Sequence, residues 1–329
     1  MIIVPTYALY WTLAVIFTSL MIGSVARFIT LRHAEEALRH KRLASLRTWW
    51  IIAIAVSAGL LAGLPGICLL LTVASCIAWF EITRMFDPRA EDKLAISIGY
   101  LLIVTNYLLI TFGSFSLFVV FLPISSLFIL SVSLLIKGGA KGYIRSAGGL
   151  LWGIMFLGYG VSHAAALMIL PSSTYGPLGP IGWFLFLIIL TEADDIFQAI
   201  IGRLFGAHKR HLIAPMISPN KTWEGFFGGM LVIVIIAPII APWLTTLGQQ
   251  AGPLSLSESL KPWFAPILAA IIISLAGFFG DINMSAIKRD AGVKDSSNLL
   301  PGMGGVIDRI DSLSMTGPIF VYFLIWWMG

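Results

Sequence analysis

Long apolar runs separated by short charged connections recur along the whole chain. Each run is near the 20 or so residues at which a helix crosses about 30 Å of hydrocarbon. Lipid offers no partner to an unpaired backbone amide, so such runs are read as helices. The pattern predicts spans at about 5–26, 48–64, 66–82, 94–111, 115–136, 147–170, 180–201, 225–245, 263–284 and 313–328. Helix breakers fall where neighbouring spans leave little room: Gly63-Leu64-Pro65-Gly66 after the second span and Phe112-Gly113-Ser114 after the fourth. The expected architecture is an all-α integral membrane protein, a polytopic bundle of about ten transmembrane helices.

Composition turns that pattern into a constraint. Hydrophobic residues make up 58% of the 329 residues and charged ones 11%, and the mean hydropathy is +0.93. A soluble domain carries roughly 25% charged residues, so this chain cannot clothe a globule in polar side chains. Of its 21 Lys and Arg residues, 20 fall on the connections after odd-numbered spans, and only Lys261 falls on the other side. The positive-inside rule then puts those connections in the cytoplasm and both termini outside. This predicts a multi-pass protein of the inner (cytoplasmic) membrane whose active face is cytoplasmic. The net charge of +5 reads as topology plus phosphate binding, and nucleic acid is not an expected partner.

The first apolar run lacks a basic stretch before it and is too long for the core of a secretion signal, so it is kept as a span. Cys68 and Cys76 share one apolar stretch and read as small buried hydrophobes, not as a disulfide or metal pair. Glu35, Glu36 and the charged cluster at 81–93 read as solvated loop charges. Uncommon polar residues concentrate after residue 190, which predicts an N-terminal transmembrane scaffold over 1–145 and a C-terminal transmembrane catalytic region over 146–329.

Three constellations carry chemistry. Thr191-Glu192-Ala193-Asp194-Asp195 sets three carboxylates into the end of the seventh span, where an unpaired charge costs several kcal/mol. A pocket that positions a cation or nucleotide is one reading; a helix end that has reached water is the other. Ile217-Ser218-Pro219-Asn220-Lys221-Thr222-Trp223-Glu224-Gly225 places Ser218 and Pro219 as a helix start, with Lys221 and Thr222 beside amides that suit an anion. It is not a P-loop. The third constellation joins Gly280-Asp281 to Ser285, Lys288, Arg289, Lys294 and Asp295, then to Pro301-Gly302-Met303-Gly304-Gly305 and Asp308-Arg309-Ile310-Asp311-Ser312. Asp281 stands at the rim of an apolar helix, and Asp308 and Asp311, three apart, share a helical face. Oxygen-only ligands suit Mg²⁺ rather than zinc, and the neighbouring cations suit a polyphosphate.

The run from Ser285 and Lys288-Arg289 through Lys294-Asp295 and Gly304-Gly305 to Asp308-Arg309-x-Asp311-Ser312 resembles the signature of phosphatidate cytidylyltransferases (CDP-diacylglycerol synthases). Asp195-x6-Gly202 and Ser218-Pro219-x-Lys221-Thr222-x-Glu224-Gly225 are similar to two further blocks of that family. The likeness covers about 180–329; the N-terminal half matches in hydropathy alone. It implies a reaction in which CTP and phosphatidate, or a related anionic lipid of the bilayer, give CDP-diacylglycerol and pyrophosphate. It further implies Mg²⁺, a second cation such as K⁺, and a homodimer. Carried over, Asp281 and Asp308 are expected metal ligands. The expected catalytic set is Asp281, Lys288, Arg289, Asp308, Arg309 and Asp311. Asp195, Ser218, Lys221, Thr222, Ser285, Lys294, Asp295, Gly304 and Gly305 are expected to bind substrate. Two departures point to a divergent paralogue: the family reads Pro-Gly-His-Gly-Gly where this chain has Met303, and Glu192 and Asp194 precede Asp195 where apolar residues are usual. A retuned paralogue with another phospholipid acceptor is therefore the alternative, and an ion or solute transporter the rival from another class.

Overall fold

The computed structural model describes residues 7–32, 35–137, 140–206, 211–249, 257 and 260–328; Lys209 and Arg210, counted above in one basic connection, lie outside them. The described residues fold into ten long helices. They are α1 (Tyr7–Thr30), α2 (Glu36–Leu61) and α3 (Gly63–Met85), then α4 (Lys93–Thr111), α5 (Phe115–Ile136) and α6 (Tyr143–Ile169). After them come α7 (Pro180–Phe205), α8 (Trp223–Leu244), α9 (Lys261–Asp290) and α10 (Ile307–Met328). Among the described residues, nine of these have the length and apolar character to cross a bilayer. The remaining one, α7, is as long but carries Glu192, Asp194 and Asp195 in its apolar run. The protein is an all-α polytopic membrane protein.

Both tight hairpins form where the breakers predict. Gly63 opens α3 with a φ of 71°, and Gly113 turns α4 into α5 with a φ of 74°, backbone that a side chain resists. Two helices depart from α geometry: α5 has a wide π turn at Ser126–Leu130, and α6 has one at Ile154–Gly160. The one sheet among the described residues is a small antiparallel hairpin between α7 and α8, with β1 (Leu212–Ala214) paired to β2 (Ser218–Thr222).

Several predicted boundaries are corrected, two of them beside the site. The helix after the hairpin starts at Trp223, not Ser218: Ser218–Thr222 is extended, and the Thr222 hydroxyl caps α8 by accepting from the Gly225 amide at 3.1 Å. The ninth span continues to Asp290, well beyond 284, because the helix runs on past the apolar stretch. Asp281, Ser285 and Lys288 therefore lie on one face of α9, at spacings of four and three residues.

Packing is closest in the C-terminal half. The most extensive helix contact is α7 on α8. A Cβ at Gly225 would stand 2.7 Å from the Gln198 carbonyl oxygen, and one at Gly229 would stand 2.9 Å from the Gln198 amide nitrogen. Small residues four apart thus bring the two backbones together, which is how helices associate where lipid removes the hydrophobic drive. At the other edge, α1 meets chiefly α2 and leaves most of its surface to lipid.

Candidate functional site

At one end of the bundle, a cavity of about 780 Å³ opens between the ends of α7, α8, α9 and α10 and the β-hairpin. α7 presents Asp195, Gln198, Gly202 and Arg203 to it, and β2 presents Ser218, Lys221 and Thr222. Asp281 and Lys288 of α9, Asp295 and Met303 of the loop that follows, and Asp308, Arg309 and Asp311 of α10 complete it. The constellations at 195, 218–222 and 281–311 are thus one site.

Four of the carboxylates are held by named partners. Lys221 Nζ lies 2.7 Å from Asp281 Oδ2, and Lys288 Nζ lies 2.6 Å from Asp308 Oδ1. Ser285 Oγ donates to Asp281 Oδ1 at 3.2 Å. Ser312 ties two helices together, its hydroxyl donating to Asp195 Oδ2 at 2.8 Å and its amide to Asp311 Oδ1 at 3.0 Å. Burial works against the Lys221 ammonium, but Asp281 and Asp195, the hydrogen bond to Asp281 and the charge of Asp311 outweigh it and hold its pKa above the ordinary lysine value. Behind Lys221 runs a second line. Gln198 Nε2 donates to Asp194 Oδ2 at 2.8 Å, which fixes the amide so that Gln198 Oε1 accepts from Lys221 Nζ at 3.4 Å.

The Gly-rich loop is shaped around Asp308. Its Oδ2 accepts from the Ser296 amide at 3.2 Å, the Ser296 hydroxyl at 3.1 Å and the Gly305 amide at 2.9 Å. Gly304 has a φ of 88°, and a Cβ there would come within 2.5 Å of that same oxygen. Gly304 and Gly305 thus serve the site through the backbone and leave Asp308 room.

Not every predicted residue faces the cavity. Arg289 turns its guanidinium to backbone, donating to the Ile217 and Val293 carbonyls at 3.2 Å each, and it braces the hairpin. Lys294 is exposed and does not line the cavity, and Ser285 acts from behind Asp281. Three residues the sequence reading passed over belong to the site: Gln198, Arg203 and Glu81. Gln198 lies three residues after Asp195 in an apolar helix, a same-face spacing that marks it. Arg203 is exposed and lines the cavity.

Glu81 corrects the expectation of solvated loop charges over 81–93. It is 2% exposed on α3 and accepts from the Ser296 hydroxyl at 3.0 Å, the Ser297 hydroxyl at 2.5 Å, the Val306 amide at 3.0 Å and the Ile307 amide at 2.9 Å. Asp92 is equally buried, held by Arg89 at 2.8 Å and by the Ser146 hydroxyl at 2.7 Å. The reading erred because charge was equated with exposure; both acids are buried because donors meet them.

The donor set toward a cation is carboxylate oxygen throughout, which suits a hard divalent ion. Among the described residues, no three His, Cys, Asp or Glu side chains close on a common point. Ammonium groups instead stand against Asp281 and Asp308, so the acids that would hold an ion already each hold a positive charge.

The sequence matches the model of the cytidylyltransferase family over residues 43–327. It is 36% identical over 322 residues to the protein YnbB of Escherichia coli K12, covering 95% of this chain and 97% of that one. A phosphatidate cytidylyltransferase of Haemophilus influenzae is 38% identical over 152 residues, 46% of this chain and 48% of that enzyme. One of Chlamydia muridarum is 40% identical over 144 residues, 44% of this chain and 43% of that enzyme. These last matches span less than half of either partner. On the match across most of its length, the chain belongs to the cytidylyltransferase family, as a polytopic membrane member.

Proposed function

We propose that the protein transfers the cytidylyl group of CTP to the phosphate of phosphatidate or a closely related anionic lipid, giving a CDP-lipid and pyrophosphate. The observation that carries this reading is the pairing of Lys221 with Asp281 and of Lys288 with Asp308 around one cavity, with Arg203 and Arg309 at its wall. Its volume of about 780 Å³ falls within the roughly 300–1,000 Å³ of small-molecule sites. The four cations suit a triphosphate, and the carboxylates keep them in place until a phosphate draws them away.

In the reaction, a lipid phosphate oxygen attacks the α-phosphorus in line, the new P–O bond forms, and the bond to the β-phosphate oxygen breaks. A phosphomonoester is already anionic at neutral pH, so no strong general base is needed. Lys221, Lys288, Arg203 and Arg309 offset charge on the attacking and leaving phosphates, which is the larger part of catalysis in phosphoryl transfer. Asp281 and Asp308 are the proposed ligands of Mg²⁺, with Asp195 and Asp311 beside them; such an ion supplies Lewis-acid neutralisation of phosphate charge when bound. K⁺ as a second cation and a homodimer are further parts of the proposal that rest on the family likeness. The distribution of Lys and Arg supports a cytoplasmic location for the cavity, in the inner membrane, so that CTP arrives from the cytoplasm while acyl chains stay in the bilayer.

Purified protein incubated with labelled CTP, phosphatidate and Mg²⁺ is expected to yield a CDP-lipid. Asp281→Asn is expected to abolish that turnover with expression unchanged, and near-native rates in the variant would remove the metal role.

A second reading, a retuned acceptor, is favoured by Met303. Met303 lines the cavity where the resembling family has histidine, and its thioether offers no donor and no titratable proton. Met303→His is expected to raise phosphatidate turnover severalfold if the acceptor has been retuned; an unchanged rate removes this reading.

A further inference from the structure

Ser296 stands between two acids. Its Oγ lies 3.0 Å from Glu81 Oε2 and 3.1 Å from Asp308 Oδ2. A hydroxyl has one proton to donate, so it serves one carboxylate at a time, and the distances leave the choice open. The two acids differ in what they lose. Glu81 has four donors and keeps three without Ser296: the Ser297 hydroxyl and the Val306 and Ile307 amides. Asp308 depends on the Lys288 ammonium at 2.6 Å for its charge partner. Glu81 also sets the backbone around Asp308, because the amides it holds follow directly on Gly305, whose own amide donates to Asp308. A Cβ at Gly305 would meet Ser296 Oγ and stand 2.5 Å from Glu81 Oε2, so the three groups are packed together without slack.

We infer that Glu81, on the N-terminal side of the chain, is a positioning residue for the transfer reaction and acts on Asp308 through the shared hydroxyl of Ser296. The inference rests on the nucleotidyl-transfer reading above. When a phosphate draws Lys288 away from Asp308, the Ser296 proton turns from Glu81 to Asp308. No bond breaks; a hydroxyl rotates, and Glu81 lends a donor that it can spare. The device matters as charge develops on the phosphates, so it acts on turnover more than on nucleotide affinity.

The test uses full-length purified protein and measures kcat and KM for CTP in five forms: native, Ser296→Ala, Ser296→Thr, Glu81→Gln, and Glu81→Gln combined with Ser296→Ala. Ser296→Ala is expected to lower kcat at least about fivefold with KM for CTP within about twofold. Ser296→Thr, which keeps the hydroxyl, is expected to restore kcat to within about twofold of native. Glu81→Gln is expected to lower kcat at least about tenfold, and the double variant to fall no further, because both residues act in one line. Amide exchange at Val306 and Ile307 is expected to quicken in Glu81→Gln and to stay native in Ser296→Ala, which separates the clamp from the shared proton. A native kcat in Ser296→Ala, or losses that multiply in the double variant, overturns the inference. If Glu81→Gln does not fold, the Ser296→Ala and Ser296→Thr pair decides alone. Native protein that forms no CDP-lipid overturns the substrate reading and this inference with it; active native protein with unaffected variants overturns this inference only.

Discussion

Lys221 is held by charge on several sides. Asp281 touches it, Asp195 and Asp311 lie within electrostatic reach, and Gln198 supplies a carbonyl whose orientation Asp194 fixes. Its pKa is raised despite burial, and the sign of the consequence follows. A group whose folded pKa exceeds the unfolded value of about 10.4 contributes all its stability below that value and loses it as pH climbs through the folded pKa. The difference in thermal midpoint between the native protein and Lys221→Met is therefore expected to persist up to about pH 9 and to shrink above about pH 10.4. A difference that already shrinks near pH 8 would show that the carboxylates do not govern this lysine. Glu81 shows what a single-residue reading loses. It falls inside the span predicted at 66–82, and a carboxylate at membrane depth is a site by default. That signal was present in the sequence, yet its neighbours at 84–93 drew it into a loop cluster. Its partners, more than two hundred residues away at 296–307, leave no mark in local sequence.

At the scale of elements, hydropathy located the helices well and ended some of them too early. α7 and α9 run on beyond their apolar stretches to Phe205 and Asp290, because a helix end that reaches water or a polar cavity no longer needs apolar residues. Those extensions contribute to the site: Gly202 and Arg203 lie beyond the predicted end of α7, and Ser285 and Lys288 beyond that of α9. The α7–α8 contact positions the Gln198 and Lys221 line, and glycines on α8 make it possible. A Cβ at Gly229 would press on Gln198 Cγ and stand 2.9 Å from the Gln198 backbone nitrogen and 3.0 Å from the Asp194 carbonyl oxygen, so the Gln198 side chain must shift and backbone lies directly behind it. Gly229→Leu is expected to cost about 1–3 kcal/mol of stability through overpacking and to lower turnover by displacing Gln198. Leu231→Val, on a residue 61% exposed toward lipid, is expected to change neither. Unfolding in detergent together with the turnover assay checks both, and equal effects of the two substitutions would remove the packing argument.

For the whole molecule, side-chain bonds join several of the connections within two opposed groups. At one end Arg89, after α3, donates to the Lys141 carbonyl after α5 at 2.5 Å. Glu81 near the end of α3 binds the loop between α9 and α10, and Arg289 of α9 binds Ile217 in the hairpin between α7 and α8. At the other end, Thr246 after α8 donates to the Thr174 carbonyl after α6 at 2.6 Å. The connections so bonded fall into the same two groups that the alternation of Lys and Arg marks in the sequence. The agreement makes the orientation testable in one experiment. With Cys68 and Cys76 replaced by alanine, single cysteines at four exposed positions, Lys141→Cys, Asn298→Cys, Ser172→Cys and Gln249→Cys, are labelled in sealed vesicles of known orientation by a thiol reagent that does not cross the bilayer. Lys141→Cys and Asn298→Cys are expected to react only from the cytoplasmic side, and Ser172→Cys and Gln249→Cys only from the opposite side. Reaction of Asn298→Cys from the outer side would put the cavity where CTP is absent and remove the cytidylyl donor. A split of Lys141→Cys from Asn298→Cys would instead break the helix count.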